Sequence, residues 1–178
     1  MTVQSQDKLV DHAIVTDWNK RLRRRITHRL NEDAEPPRRQ IKSTNCISAS
    51  YIRFNPIAIT IKTRPTADGD SANLDLGTWA IAHLRKLMRL TGNDKVADLP
   101  VLPVIFIDAH TWYLMLARLT NYKFDLFGRL PLGDTWTLIG TYKMIASVQR
   151  LARWIEEEYR PWFDQNVIPD KDQFDDAS

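Results

Sequence analysis

An alternation of isoleucines constrains the fold of this chain more than any other feature. Ile57, Ile59 and Ile61 occupy every second position of a stretch that ends at Arg64. A period of two is typical of a β-strand that buries one face, so we expect these isoleucines to pack against helices. The same period places Lys62 and Arg64 together on the other face of the strand.

The rest of the chain predicts the order strand, helix, strand, helix, strand hairpin and helix. Strands are predicted at residues 8–15, 51–64, 102–107 and 111–117 and near 126–130, with a tight turn at 108–110. Helices are predicted after Asp17 and at about residues 71–91 and 138–159. Their apolar stripes are Trp18, Leu22, Ile26 and Leu30 in the first, Leu76, Trp79, Ala80, Leu84 and Leu87 in the second, and Tyr142, Ile145, Val148, Ala152, Ile155 and Tyr159 in the third. This order indicates a mixed α/β layer fold.

Length and composition suit a single globular domain, because 178 residues of which 43% are hydrophobic and 26% charged can form one buried core with a solvated surface. We expect one domain over residues 1–163 and a loosely held acidic tail over 164–178, which contains five aspartates and one lysine. The single cysteine, Cys46, cannot form an intrachain disulfide, no apolar run approaches the roughly 20 residues of a membrane span, and the N-terminus is polar. We therefore expect an intracellular protein, cytoplasmic or nuclear, without a membrane partner.

Basic residues are concentrated between residues 20 and 42. The candidates for binding DNA or RNA are those on the first predicted helix: Lys20, Arg21, Arg23, Arg24, Arg25 and Arg29. Such a patch could bind the phosphates of a polyanion. A solvated basic helix face has the same composition, so both interpretations stay open.

Several common chemistries find no support in the sequence. It contains no GxGxxG or GxxxxGK[ST] phosphate-binding loop and no GxSxG nucleophile motif. The four histidines do not fall at zinc-ligand spacing, and His83 is expected to be a core residue. The remaining candidates are charged side chains: Asp11 inside the first predicted strand, Lys62 and Arg64 on the next, and Asp75 on the following helix.

Four segments of the chain resemble the fungal PD-(D/E)XK nuclease-like domain. They read PIAITIKTR (residues 56–64), ANLDLGTWAIAHL (72–84), LPVIFIDAHTW (102–112) and GTYKMIASVQRLARWIEEEYRPWF (140–163). The resemblance extends from about Asp7 to Phe163. It implies the restriction-endonuclease-like fold, in which helices flank a mixed central sheet.

The resemblance also implies a set of motif positions. In such nucleases an Asp and the Glu of a Glu-x-Lys motif hold Mg²⁺, the Lys orients the attacking water, and the next helix commonly supplies a Gln. The Asp corresponds to Asp11, the Glu-x-Lys motif to Lys62 and Arg64, and the Gln to Asp75.

The chain departs from this pattern where the family has its metal-binding Glu. Lys62 places a cation there, and a cation about 4 Å from a unit positive charge costs on the order of 4 kcal/mol at an effective dielectric of about 20. A register that pairs the motif with residues 60–62 keeps a lysine but also lacks the Glu. Asp75 could supply the missing carboxylate, or Asp11 and Asp75 could instead form a metal-free ion-pair cluster with Lys62 or Arg64.

Two classes of function follow from this departure. The first is a PD-(D/E)XK domain with a degenerate metal site, which binds nucleic acid or another partner without catalysis and needs no cofactor. The second is an enzyme, either a Mg²⁺-dependent nuclease with rearranged ligands, Asp11 and Asp75, or an activity that uses the cleft for a small molecule.

Overall fold

One five-stranded mixed sheet with helices packed on it forms the fold. The computed structural model describes residues 11–17, 20–32, 43–46, 52–64, 71–91, 99–120 and 123–168. The elements are β1 (His12–Val15), α1 (Lys20–Glu32), β2 (Ile57–Arg64), α2 (Ser71–Leu90), β3 (Leu102–Asp108), β4 (Thr111–Thr120), β5 (Lys123–Asp134), α3 (Leu138–Trp154), a π-helical turn (Ile155–Tyr159) and α4 (Arg160–Asn166). No helix of these ranges is long and apolar enough to cross a membrane.

The strands lie in the order β1-β2-β3-β4-β5. β2 and β3 are parallel and are connected through α2, whereas the other neighbouring pairs are antiparallel. Lys62 is paired with Phe106 and Arg64 with Asp108, so these side chains lie on one face of the sheet. The predicted mixed α/β fold is confirmed.

α2 covers the sheet with the stripe that its sequence predicts. Leu76, Trp79, Ala80, Leu84 and Leu87 are all buried, and so are Ile57 and Ile59 of β2, whereas Ile61 is partly buried. His83 lies in this core with its Nε2 atom 3.0 Å from the carbonyl oxygen of Ile57. Burial lowers the pKa of His83 to about 4 despite the bond to that carbonyl, so the ring is neutral, as expected of a core histidine.

The predicted third helix is interrupted. α3 ends at Trp154, the chain forms a π-helical turn, and α4 follows. Tyr159 in this turn is buried and donates a 2.9 Å hydrogen bond to the carbonyl oxygen of Ile57. The predicted stripe is wrong at three of its positions, since Tyr142 is 65% and Ile145 45% exposed and Ala152 is exposed as well. The packed side of α3 instead includes Gly140 and Leu151.

Several predicted boundaries also change. β5 is much longer than the strand predicted near 126–130. Its sequence hid this length, because Gly128, Pro131 and two register shifts interrupt the alternation of side chains. The predicted start of the acidic tail is wrong, since α4 continues through Asn166, and Val167 and Ile168 are buried. Residues 8–10, Trp18 and residues 169–178 lie outside the described ranges.

Candidate functional site

Asp11 lies immediately before β1, beside the carboxyl end of β2. Its backbone amide donates to the carbonyl of Ile61 over 3.0 Å, which continues the antiparallel pairing of the two strands. Its Oδ2 atom accepts hydrogen bonds from the amide of Thr63 at 2.7 Å and from the Thr63 hydroxyl at 2.6 Å. Thr63 therefore fixes the Asp11 carboxylate at the end of β2.

Lys62 brings the motif positions together. Its Nζ atom lies 3.3 Å from Oδ2 of Asp75 and 4.0 Å from Oδ1 of Asp11. The Lys62 side chain is only 14% exposed, and both aspartates are about a quarter to a third exposed. One ammonium group thus joins carboxylates from the start of β1 and the second turn of α2.

Asp11 is held in its ionised form. Partial burial raises the pKa of Asp11, but the Thr63 hydroxyl and amide bonds and the charges of Lys62 and His12 together outweigh burial. The net result is a pKa below the ordinary value of 3.8. A carboxylate ionised at neutral pH is what an ion pair with Lys62 requires.

Arg64 does not join this cluster and contacts a second one. Its NH2 atom lies 3.2 Å from Oδ2 of Asp108, its register partner on β3, and the guanidinium of Arg129 on β5 lies 3.3 Å from the same oxygen. The Arg129 guanidinium also stacks over the ring of Tyr113 at 4.7 Å and over that of Phe106 at 5.1 Å.

Sequence reasoning missed Thr63, Asp108 and Arg129 as members of this site. The sequence placed Asp108 in the predicted turn at 108–110, and its pairing with Arg64 follows only from the parallel register of β2 and β3. The position of Arg129 likewise depends on a β4–β5 pairing with two register shifts.

The side chains at the motif positions do not fit the Mg²⁺ site that the fold family implies. Such a site needs two or more carboxylate oxygens directed at a point that holds no other cation. Among the described residues, the carboxylates at this strand end are those of Asp11 and Asp75, and both face the ammonium of Lys62. Across the described ranges no group of three or more His, Cys, Asp or Glu side chains is arranged to hold a metal ion.

The predicted nucleic-acid-binding residues of α1 do not all lie on one surface. Lys20, Arg21, Arg23 and Arg24 are exposed, whereas Arg25 is only 8% exposed and its guanidinium lies 3.9 Å from Asp164. Arg25 therefore does not belong to the exposed part of this basic patch, because its place on the helix turns it toward α4. The side chain of Arg29 lies outside the described part of the chain.

At least one exposed arginine of α1, Arg23, is distant from Lys62. Arg23 donates a 3.0 Å hydrogen bond to the side chain of Asn55, which precedes β2. Lys62 is near the other end of that strand, and the rise along β2 from Ile57 to Lys62 alone is roughly 16 Å. The sequence did not show this separation.

A mixed sheet flanked by helices, with Asp11, Lys62 and Asp75 meeting at one strand end, defines the class: an α/β domain of the restriction-endonuclease-like fold. The sequence model of the PD-(D/E)XK nuclease superfamily matches residues 2–160. The chain therefore belongs to that superfamily. No curated protein and no solved structure shows significant similarity to the chain.

Proposed function

We propose that this protein is a PD-(D/E)XK domain that has lost metal-dependent hydrolysis and acts as a non-catalytic binding module. One observation carries the proposal: the ammonium of Lys62 lies between Asp75 and Asp11, where the family pattern requires a carboxylate and a metal ion. The ammonium occupies the space between the two carboxylates and offsets part of their charge without a divalent cation.

Hydrolysis of a phosphodiester needs more than positive charge. A nuclease of this type requires an activated water, a Lewis acid and a cation at the scissile phosphate. Lys62 and Arg64 can supply only the last of these. Recognition of phosphate is therefore the part of the ancestral chemistry that these residues can still perform.

We propose nucleic acid as the partner, bound through the exposed basic residues of α1. Lys20, Arg21, Arg23 and Arg24 follow one another within two turns, and no acidic residue occurs in α1 before Glu32. Such a segment binds phosphates by releasing counterions, without regard to sequence. Arg23 also lies 3.7 Å from Asp17, so we expect its share to be smaller. A nucleic-acid partner would place the protein in the cytoplasm or the nucleus.

A cleavage assay tests the loss of hydrolysis. Supercoiled plasmid and single-stranded DNA are incubated with the protein and Mg²⁺ or Mn²⁺, and the Asp11→Ala variant is measured in parallel. We expect both proteins to leave the substrates intact. Cleavage by the unmodified protein that disappears in Asp11→Ala would instead support the alternative, a nuclease whose metal is held by Asp11 and Asp75 after Lys62 moves aside.

A further inference from the structure

A second site lies between the sheet and α3. It is a cavity of about 440 Å³, within the range of small-molecule sites in proteins. Its apolar walls are formed mainly by Leu114, Leu116, Phe127, Leu132, Leu151 and Trp154. Most of these side chains are only partly buried, and Phe127 is 40% exposed, because the cavity keeps them open to solvent.

This cavity is separate from the ion-pair site. Lys62 is paired with Phe106, and Phe106 with Tyr113, so these three side chains lie on one face of the sheet. Side chains alternate between the two faces along a strand, so Leu114 and Leu116 of β4 lie on the face opposite to Tyr113. Their partners on β3, Ile105 and Pro103, likewise lie on the face opposite to Phe106. Any ligand in the cavity is therefore bound across the sheet from Lys62.

The described residues that line the cavity include one cationic side chain and no anionic one. Arg150 of α3 is the single charged group among the described residues that line it, and Ser147 is its polar neighbour, with its hydroxyl donating to the carbonyl of Leu132 at 3.4 Å. None of the ion pairs among the described residues includes Arg150. The nearby Arg118, which stacks on the Phe127 ring at 5.3 Å, is already paired with Asp125 at 3.4 Å.

We propose that this cavity binds a small amphiphilic carboxylate, meaning an alkyl chain or aromatic ring that carries one carboxylate group. The apolar body lies among the leucines and Trp154, where burial removes hydrocarbon surface from water. The carboxylate accepts charge-assisted hydrogen bonds from the Arg150 guanidinium. The positive charge of Arg150 repels a cationic ligand. An uncharged ligand cannot form the charge-assisted hydrogen bond that a carboxylate forms with Arg150. The proposal is independent of the proposed function.

A titration followed by NMR of labelled leucine methyl groups tests the site in the full chain. The probes are decanoate, decanol and decyltrimethylammonium, which share the alkyl chain and differ in charge. We expect decanoate to shift the methyl signals of Leu114, Leu116, Leu132 and Leu151 and to bind about three- to tenfold more tightly than decanol, in line with one exposed charge-assisted hydrogen bond.

Three variants separate this site from nonspecific binding. Arg150→Gln is expected to abolish the preference for decanoate over decanol, whereas Arg153→Gln, an exposed arginine of the same helix that does not line the cavity, keeps it. Val101→Trp fills the rim of the cavity and is expected to weaken all probes at least tenfold. Equal affinity for the acid, alcohol and cation, or binding that survives Val101→Trp with shifts away from these leucines, would overturn the proposal.

Discussion

The ammonium of Lys62 lies 3.3 Å from the carboxylate of Asp75, and this ion pair connects β2 to α2 at the strand end where the superfamily carries its catalytic motif. Lys62 also faces Asp11 at 4.0 Å, so a single side chain links three segments of the chain. If these contacts replace a metal ion, the ammonium of Lys62 should stabilise the folded protein, because it reduces the repulsion between the carboxylates of Asp11 and Asp75.

Lys62→Met tests that consequence. The change leaves Asp11 and Asp75 near each other without a cation, and we expect the free energy of unfolding to fall by about 1 to 2 kcal/mol because the site is only partly exposed. Urea denaturation of Lys62→Met, Asp75→Asn and the double variant measures the coupling between the two residues. We expect a coupling of about 1 kcal/mol. Fully additive effects would show that the ion pair contributes nothing.

The stability of the protein should fall in acid through Asp11. Its pKa in the folded state is below the ordinary 3.8, so the unfolded chain binds a proton more readily between those two values. The stabilising contribution of the carboxylate is therefore fully present above about pH 5 and is lost as the pH falls through the folded pKa. Unfolding free energies between pH 2 and pH 6 should decline less steeply for Asp11→Asn than for the unmodified protein.

Thr63→Val provides a direct test of the cause of that shift. It removes the hydroxyl that donates to Asp11 at 2.6 Å and keeps the backbone amide bond, so the pKa of Asp11 should rise. An NMR titration of the Asp11 carboxyl carbon measures this change. An unchanged pKa would mean that the hydroxyl does not stabilise the ionised form.

Tyr159 in the π-helical turn should contribute to stability through its hydroxyl. It is buried and donates to the carbonyl of Ile57 across 2.9 Å. Tyr159→Phe should cost about 1 kcal/mol, a moderate loss because Nε2 of His83 lies 3.0 Å from the same carbonyl. Tyr142→Phe, at an exposed position of α3, is the matched control and should leave the midpoint of urea unfolding unchanged. Equal effects of the two changes would contradict the role of this bond.

Binding of nucleic acid should depend on the exposed arginines of α1. Arg21→Ala combined with Arg24→Ala is expected to weaken binding to duplexes of any sequence and to reduce the slope of log affinity against log salt by about 0.9 for each lost phosphate contact. Electrophoretic mobility shifts at several salt concentrations measure both effects. Arg85→Ala with Arg89→Ala, an equal charge change on the exposed side of α2, is the control. Equal weakening by the two pairs would show that net charge, and not α1, determines the affinity.

Local patterns predicted much of the fold and the centre of the site. The isoleucine alternation identified β2, and the three-four spacing in α2 identified its buried residues, because both patterns report buried faces. The alternation did not show that the other face of β2 is also buried at Ala58 and Thr60. Asp11, Lys62 and Asp75 were found through their motif positions. Pairings between distant segments were less accessible. Arg129 approaches Arg64 only through the irregular register of β5, and the apolar spacing of Tyr142 and Ile145 did not reveal that this side of α3 is exposed.

Calorimetric titration with Mn²⁺ tests the central claim most directly. The unmodified protein is compared with Asp11→Ala, with the double variant Lys62→Glu and Arg64→Lys, and with Arg85→Glu, which makes the same charge reversal as Lys62→Glu at an exposed site on α2. If Lys62 replaces the metal, the unmodified protein and Arg85→Glu show no saturable binding at millimolar Mn²⁺, and the double variant binds the ion beside Asp11. Saturable binding by the unmodified protein that Asp11→Ala abolishes would contradict the account.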